Sequence, residues 1–103
     1  MATLKQIQAY ADEVARRFHP EKIILFGSHA HGRPTRDSDV DLLVIMPHKG
    51  RPPEQAARIR DVVRAPFSLD LLMRSPQRLR ERPGMNDCFI RESVDKGRAL
   101  HES

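Results

Sequence analysis

Cysteine is almost missing from this 103-residue chain. Cys88 alone can form neither an internal disulfide nor a zinc cluster by itself. Long apolar runs are missing as well. The strongest lie at residues 23–26 and 40–46, far short of the roughly 20 residues a helix needs to cross a bilayer. The amino-terminal stretch lacks the basic-then-apolar order of a secretory signal, because residues 1–18 carry an amphipathic helical pattern instead. These gaps lead to the expectation of a cytoplasmic protein with no membrane partner. Internal repeats, low-complexity tracts and linkers are also missing. With this length, that leads to a single domain, 1–103, with one modest core. Aromatic residues make up only 5% of the chain, and none interleaves with the arginines at 74, 78, 80 and 82. No stacking platform for a nucleic-acid strand is expected there, and a solvated helix face is the simpler account.

Charge is the first thing present in quantity. The formal balance is +4, carried mostly by arginine. That suits an anionic partner such as a nucleotide, a nucleic acid or an acidic protein surface. A solvated arginine-rich surface explains it equally well, so charge alone does not choose.

The patterning alternates helix and strand. Thr3 followed by Gln6 reads as a capping box opening a helix, on which Leu4, Ile7, Ala11, Val14, Ala15 and Phe18 recur on one face. Pro20 ends it. Ile23 to Phe26 reads as a strand stopped by Gly27. A polar segment with Gly32 and Pro34 has room for a helical turn, and Val40 to Met46 forms a second strand closed by Pro47. His48 to Pro53 is a loop by composition. A helix then runs from Pro53 to about Arg64 with Ala56, Ile59, Val62 and Val63 inward. Phe67 to Met73 makes a third strand, and Ser75-Pro76 opens another helix, interrupted at Pro83-Gly84. Residues 86–96 read as a last helix, with Phe89, Ile90 and Val94 inward and Gly97 as its cap. Cys88 reads as core packing beside Phe89, and Arg98 to His101 as a short edge strand. The expected architecture is α/β (α+β): a small mixed sheet of three to four strands with helices mainly on one face.

The carboxylates stand out against this frame. Asp39 and Asp41 lie two apart at the start of a strand, so they share a face. Asp70 interrupts an otherwise apolar strand, a costly place for a charge unless it is paired or holds a metal. If the third strand lies beside the second, Asp70 joins the other two. Gathered carboxylates repel one another and need a cation, and oxygen-only ligands point to Mg²⁺ or Mn²⁺. Two such ions about 4 Å apart clamp the attacking and leaving oxygens in displacement at phosphorus. Gly27-Ser28 supplies the other half. Backbone N–H groups at such a turn hold phosphate, glycine lets it come close, and the Ser28 hydroxyl is a further donor. A phosphate cradle beside a metal site suits a nucleoside triphosphate. The simpler accounts are that Asp39 and Asp41 only cap and turn, and that Asp70 faces water on an edge strand. His29 and His31 lack a third placed ligand for zinc. His31 reads as lining the phosphate pocket, whereas His19, His29, His48 and His101 read as surface residues.

Ile23-Ile24-Leu25-Phe26-Gly27-Ser28, ten intervening residues, then Asp39-Val40-Asp41-Leu42-Leu43-Val44 closely resembles the signature of the DNA polymerase β-like nucleotidyltransferases. It is similar in particular to the minimal nucleotidyltransferases known as MNT proteins. Pro20-Glu21-Lys22 and Ser38 also fit. The motif core spans residues 20–46, and the likeness extends more weakly to nearly the whole chain. One departure is His31, where members commonly carry arginine; Arg33 and Arg36 are the nearby cations. The resemblance implies that Gly27 and Ser28 contact the triphosphate and that Asp39 and Asp41 bind two Mg²⁺. It further implies that Asp70 binds the catalytic ion and helps deprotonate the acceptor. The implied reaction moves AMP from ATP to a hydroxyl with loss of pyrophosphate.

Larger relatives bring additional domains to hold antibiotics or RNA ends. A domain of this size has no such element, so its acceptor surface is expected from a partner. The resemblance points to a small helical HEPN protein, a ribonuclease toxin silenced when its MNT antitoxin adenylylates a tyrosine. Two alternatives stand beside this. One is a catalytically weak antitoxin that acts by binding alone; the other is a transferase acting on a small molecule with a separate substrate-binding subunit. DNA synthesis is not expected, because no template-holding elements remain.

Overall fold

The computed structural model describes residues 2–27, 29–30, 39–47, 51–76 and 97–102. Several expectations fall outside those residues: the cradle serine Ser28, the polar segment with His31, Arg33 and Arg36, and most of the loop from His48. The helix after Pro76, its break at Gly84, the helix over 86–96 with Cys88, and Arg78, Arg80 and Arg82 also lie outside them.

The first helix, α1 (Leu4–Phe18), starts as the capping box requires. Gln6 N–H donates to Thr3 Oγ1 at 3.1 Å, and Thr3 N–H donates to Gln6 Oε1 at 3.0 Å. Two otherwise orphaned donors are thereby satisfied. His19 ends the helix in the left-handed conformation, φ 53°, and Pro20 follows. Arg16 and Arg17 sit in the last turn, where the helix dipole favours cations. Both reach Glu13 at 2.6 Å, which holds its carboxyl down at about 2.

Four strands follow: β1 (Lys22–Phe26), β2 (Val40–Ile45), β3 (Leu69–Arg74) and β4 (Arg98–Glu102). They form one sheet in the order β3-β2-β1-β4. β1 runs antiparallel to both β2 and β4, whereas β2 and β3 are parallel. A parallel pair needs a long crossover, and here it contains α2 (Pro52–Val62). In β4 the register skips Leu100 between His101 and Ala99. Its carbonyl accepts from Gln8 Nε2 of α1 at 2.9 Å, so the bulge ties the edge strand to the helix.

Alternation along the strands sorts the core. Ile23, Leu25, Val40, Leu42, Val44, Leu71 and Met73 meet Ile7, Tyr10, Ala11 and Val14 of α1 and Ala56 and Ile59 of α2. Both described helices therefore cover one face. The opposite face carries Ile24, Phe26, Leu43 and Ile45, with Leu72 packed against them. Each fully buried Leu or Ile contributes roughly 1.5–3 kcal/mol. The sequence pattern misplaced the ends of both helical faces. Leu4 is 52% and Val62 46% exposed against expectation and Tyr10 is buried, whereas Val63 is buried as expected. Leu4 lies in the first turn of α1, beyond the reach of the sheet. Val63 turns inward only because the chain has left the helix, with an extended ψ of 101°. No helix among the described residues is long and apolar enough to cross a membrane.

Tyr10 packs edge-on against Phe67 at 5.8 Å between ring centroids. Its hydroxyl is buried without a hydrogen-bond partner among the described residues, and burial pushes its pKa up to about 12 despite nearby Arg60. Tyr10→Phe keeps the ring contact and removes the orphaned hydroxyl. Chemical denaturation should show equal or greater stability, by up to about 1 kcal/mol. A loss larger than that would mean the hydroxyl is satisfied.

Candidate active site

Strand directions bring three chain segments to one end of the sheet. Because β1 and β2 are antiparallel with Phe26 opposite Asp41, the end of β1 meets the start of β2. Because β2 and β3 are parallel, the start of β3 lies there too. The register sets Asp41 directly opposite Asp70. Partnered residues share a face, and Asp39, two before Asp41, shares it as well. All three aspartates thus lie on the face opposite α1 and α2, beyond the cluster of Ile24, Phe26 and Leu43.

Like charges at this spacing oppose ionisation. The Asp41 carboxyl is raised above the usual range, first by its partial burial, then by Asp70 and Asp39, with His29 pulling the other way. Asp39 and Asp70 are exposed, whereas Asp41 is half-buried. Asp39 Oδ1 accepts a short hydrogen bond from the Ser68 hydroxyl. Among the described residues, no three His, Cys, Asp or Glu side chains stand close enough together to hold an ion as they are. The backbone register brings the aspartates to one end of the sheet, where Ser68 engages the Asp39 carboxylate.

Gly27 explains itself sterically. Its φ is +75°, and a Cβ there would run into the Asp41 carboxylate, with Cγ only 3.2 Å away. Any side chain would be strained by the backbone and would displace the central aspartate. The Ala30 N–H donates to the Gly27 carbonyl at 3.1 Å and closes a turn, and Gly27 itself lies against the Asp41 carboxylate.

Two residues escaped the sequence reading. His29, expected at the surface, is 6% exposed. Its Nδ1 lies 3.1 Å from the Asp39 carbonyl oxygen. A carbonyl only accepts, so Nδ1 carries the proton and donates. Nε2 is buried without a partner among the described residues. Nothing in the local sequence signals this, since the carbonyl that draws the ring inward is ten residues away. Ser68 is different: it lies two before Asp70 and so shares its face. That spacing could have found it.

A half-open cavity of about 540 Å³ lies between the end of α2 and the start of β3, lined by Arg60, Asp61, Arg64, Phe67, Ser68 and Leu69 among others. Leu69 and Phe67 pack toward the helix-covered core. The cavity therefore opens on the α2 side and adjoins the aspartates only at Ser68.

Residues 7–100 match the family model described as the nucleotidyltransferase domain. The chain belongs to that family. Among proteins of curated function, none matches this nucleotidyltransferase domain. A crystal structure of a candidate nucleotidyltransferase from Sulfolobus solfataricus superposes with a TM-score of 0.59 at 22% identity, over 78% of this chain and 73% of the other. At that identity the likeness extends to the fold. The mixed sheet with its helices on one face is the expected nucleotidyltransferase architecture, and the family is one of transferases.

The raised Asp41 pKa fixes the sign of a pH effect. The folded state holds the Asp41 proton more tightly than the unfolded chain does. Stability therefore falls as pH rises from about 4, the ordinary aspartate range, through the raised value. Asp41→Asn removes that penalty. In metal-free buffer its melting temperature should exceed that of the wild type at pH 7, and the gap should close as the pH approaches about 4. A variant that melts lower at pH 7, with no pH dependence to the gap, would contradict the repulsion.

Proposed function

We propose that this domain is an MNT-type transferase that moves AMP from a nucleoside triphosphate, ATP, to a tyrosine hydroxyl on a small helical HEPN partner, acting as an antitoxin. The observation that carries the reading is the register that sets Asp41 against Asp70 beside the bare turn at Gly27. Gly27, which carries no side chain, and Ser28 would be the contacts for a nucleotide's phosphates. Asp39, Asp41 and Asp70 form an oxygen-only donor set whose mutual repulsion a divalent cation relieves, which suits two Mg²⁺ or Mn²⁺ ions. The ions, when bound, neutralise the triphosphate and lower the pKa of the acceptor hydroxyl.

The chain's own residues do the remaining work. Asp39 and Asp41, at the start of β2, would hold the divalent cations whose positive charge draws the triphosphate. Asp70 takes up the acceptor's proton as its oxygen bonds to the α-phosphorus and the bond to pyrophosphate breaks. Little covalent chemistry is asked of the protein, and positioning supplies most of the rate. The positive balance of the sequence suits an acidic partner surface that presents the acceptor.

A second reading, in which the partner is neutralised by binding alone, rests on His31 at the place where arginine is usual. Label transfer separates the two. With ATP labelled at the α-phosphate, the wild type should label a tyrosine of its co-purified HEPN partner, and γ-label should not transfer. Asp39→Asn should lower transfer by roughly 100-fold or more and abolish neutralisation. Intact neutralisation by that variant, or no transfer to any HEPN partner, would overturn the enzymatic reading.

A further inference from the structure

We infer that His29 is a positioning residue that latches the phosphate-side turn to the strand bearing the aspartates. The inference rests on the proposed triphosphate site and deepens it. The turn at Gly27–Ala30 and the start of β2 are separated by a stretch of chain, yet the site needs them held at one spacing. The His29 ring bridges them directly, donating from Nδ1 to the Asp39 carbonyl at 3.1 Å. The ring is nine-tenths buried, so water competes poorly for that carbonyl, and the turn behind it is closed by the Ala30–Gly27 bond.

Two features separate a latch from ordinary core packing. The contact goes to the backbone of Asp39, whose side chain is engaged by Ser68 on β3. One residue therefore receives restraints from both flanking segments, through its carbonyl from the turn and through its carboxylate from β3. In addition, Nε2 finds no partner among the described residues. Among the described residues, the ring makes its hydrogen bond through Nδ1 alone. A residue chosen for packing alone would not need to carry either nitrogen.

That asymmetry selects the test. An asparagine amide nitrogen can stand in for Nδ1, whereas leucine fills space and donates nothing. His29→Asn and His29→Leu are compared with the wild type by amide hydrogen exchange, resolved by residue, and by calorimetric binding of a non-hydrolysable ATP analogue with Mg²⁺. The leucine variant should exchange about ten-fold faster or more at residues 27–30 and 39–41 and keep wild-type rates in α1. Its affinity for the analogue should fall by about ten-fold or more, and asparagine should restore both to within about three-fold. Unchanged exchange at 39–41 in the leucine variant would overturn the latch. So would an asparagine variant that is folded but no better than leucine. If the wild type itself binds no triphosphate, the proposed site fails, and the exchange comparison still decides the latch.

Discussion

The parallel register between β2 and β3 is the constraint on which the site depends. It sets Asp41 and Asp70 opposite each other on one face, and their backbones cannot separate without breaking the strand pairing. The penalty appears in the raised Asp41 carboxyl. Asp41, half-buried beside Leu43 on that face, is the one that bears the cost of burial.

The rest of the fold holds that register in place. Val40, Leu42 and Val44 alternate with the aspartate-bearing face and are almost wholly buried against α1 and α2. A slip of one residue would expose them and bury the carboxylates, so the core itself enforces the pairing. Both described helices lie on the far face, and the aspartates occupy the near one at the strand ends. Gly27 completes the arrangement by lacking the one carbon that would collide with Asp41.

Much of this is visible in the order of residues, and the reasons are local. The capping box of Thr3 and Gln6, the strand at 23–26 and the period-two placing of Asp39 and Asp41 depend on neighbours a few positions away. The partnership of Asp70 with Asp41 needed only that adjacent strands pair. Other features depend on what arrives from a distance. Leu4 continues the helical pattern but has no sheet beneath it. Val62 continues the pattern of α2 yet stands exposed. His29 looks like a loop residue until the Asp39 carbonyl comes within reach. Ser68 could have been found from its spacing to Asp70, but a serine before a strand carries too little signal to stand out.

The central claim is that the gathered aspartates and the bare turn form a metal-dependent triphosphate site. Calorimetric titration of the wild type and of Asp39→Asn/Asp41→Asn with a non-hydrolysable ATP analogue, with and without Mg²⁺, addresses it most directly. The account predicts binding by the wild type that requires Mg²⁺ and disappears in the double variant. Binding that persists in the double variant, or that ignores Mg²⁺, would contradict it.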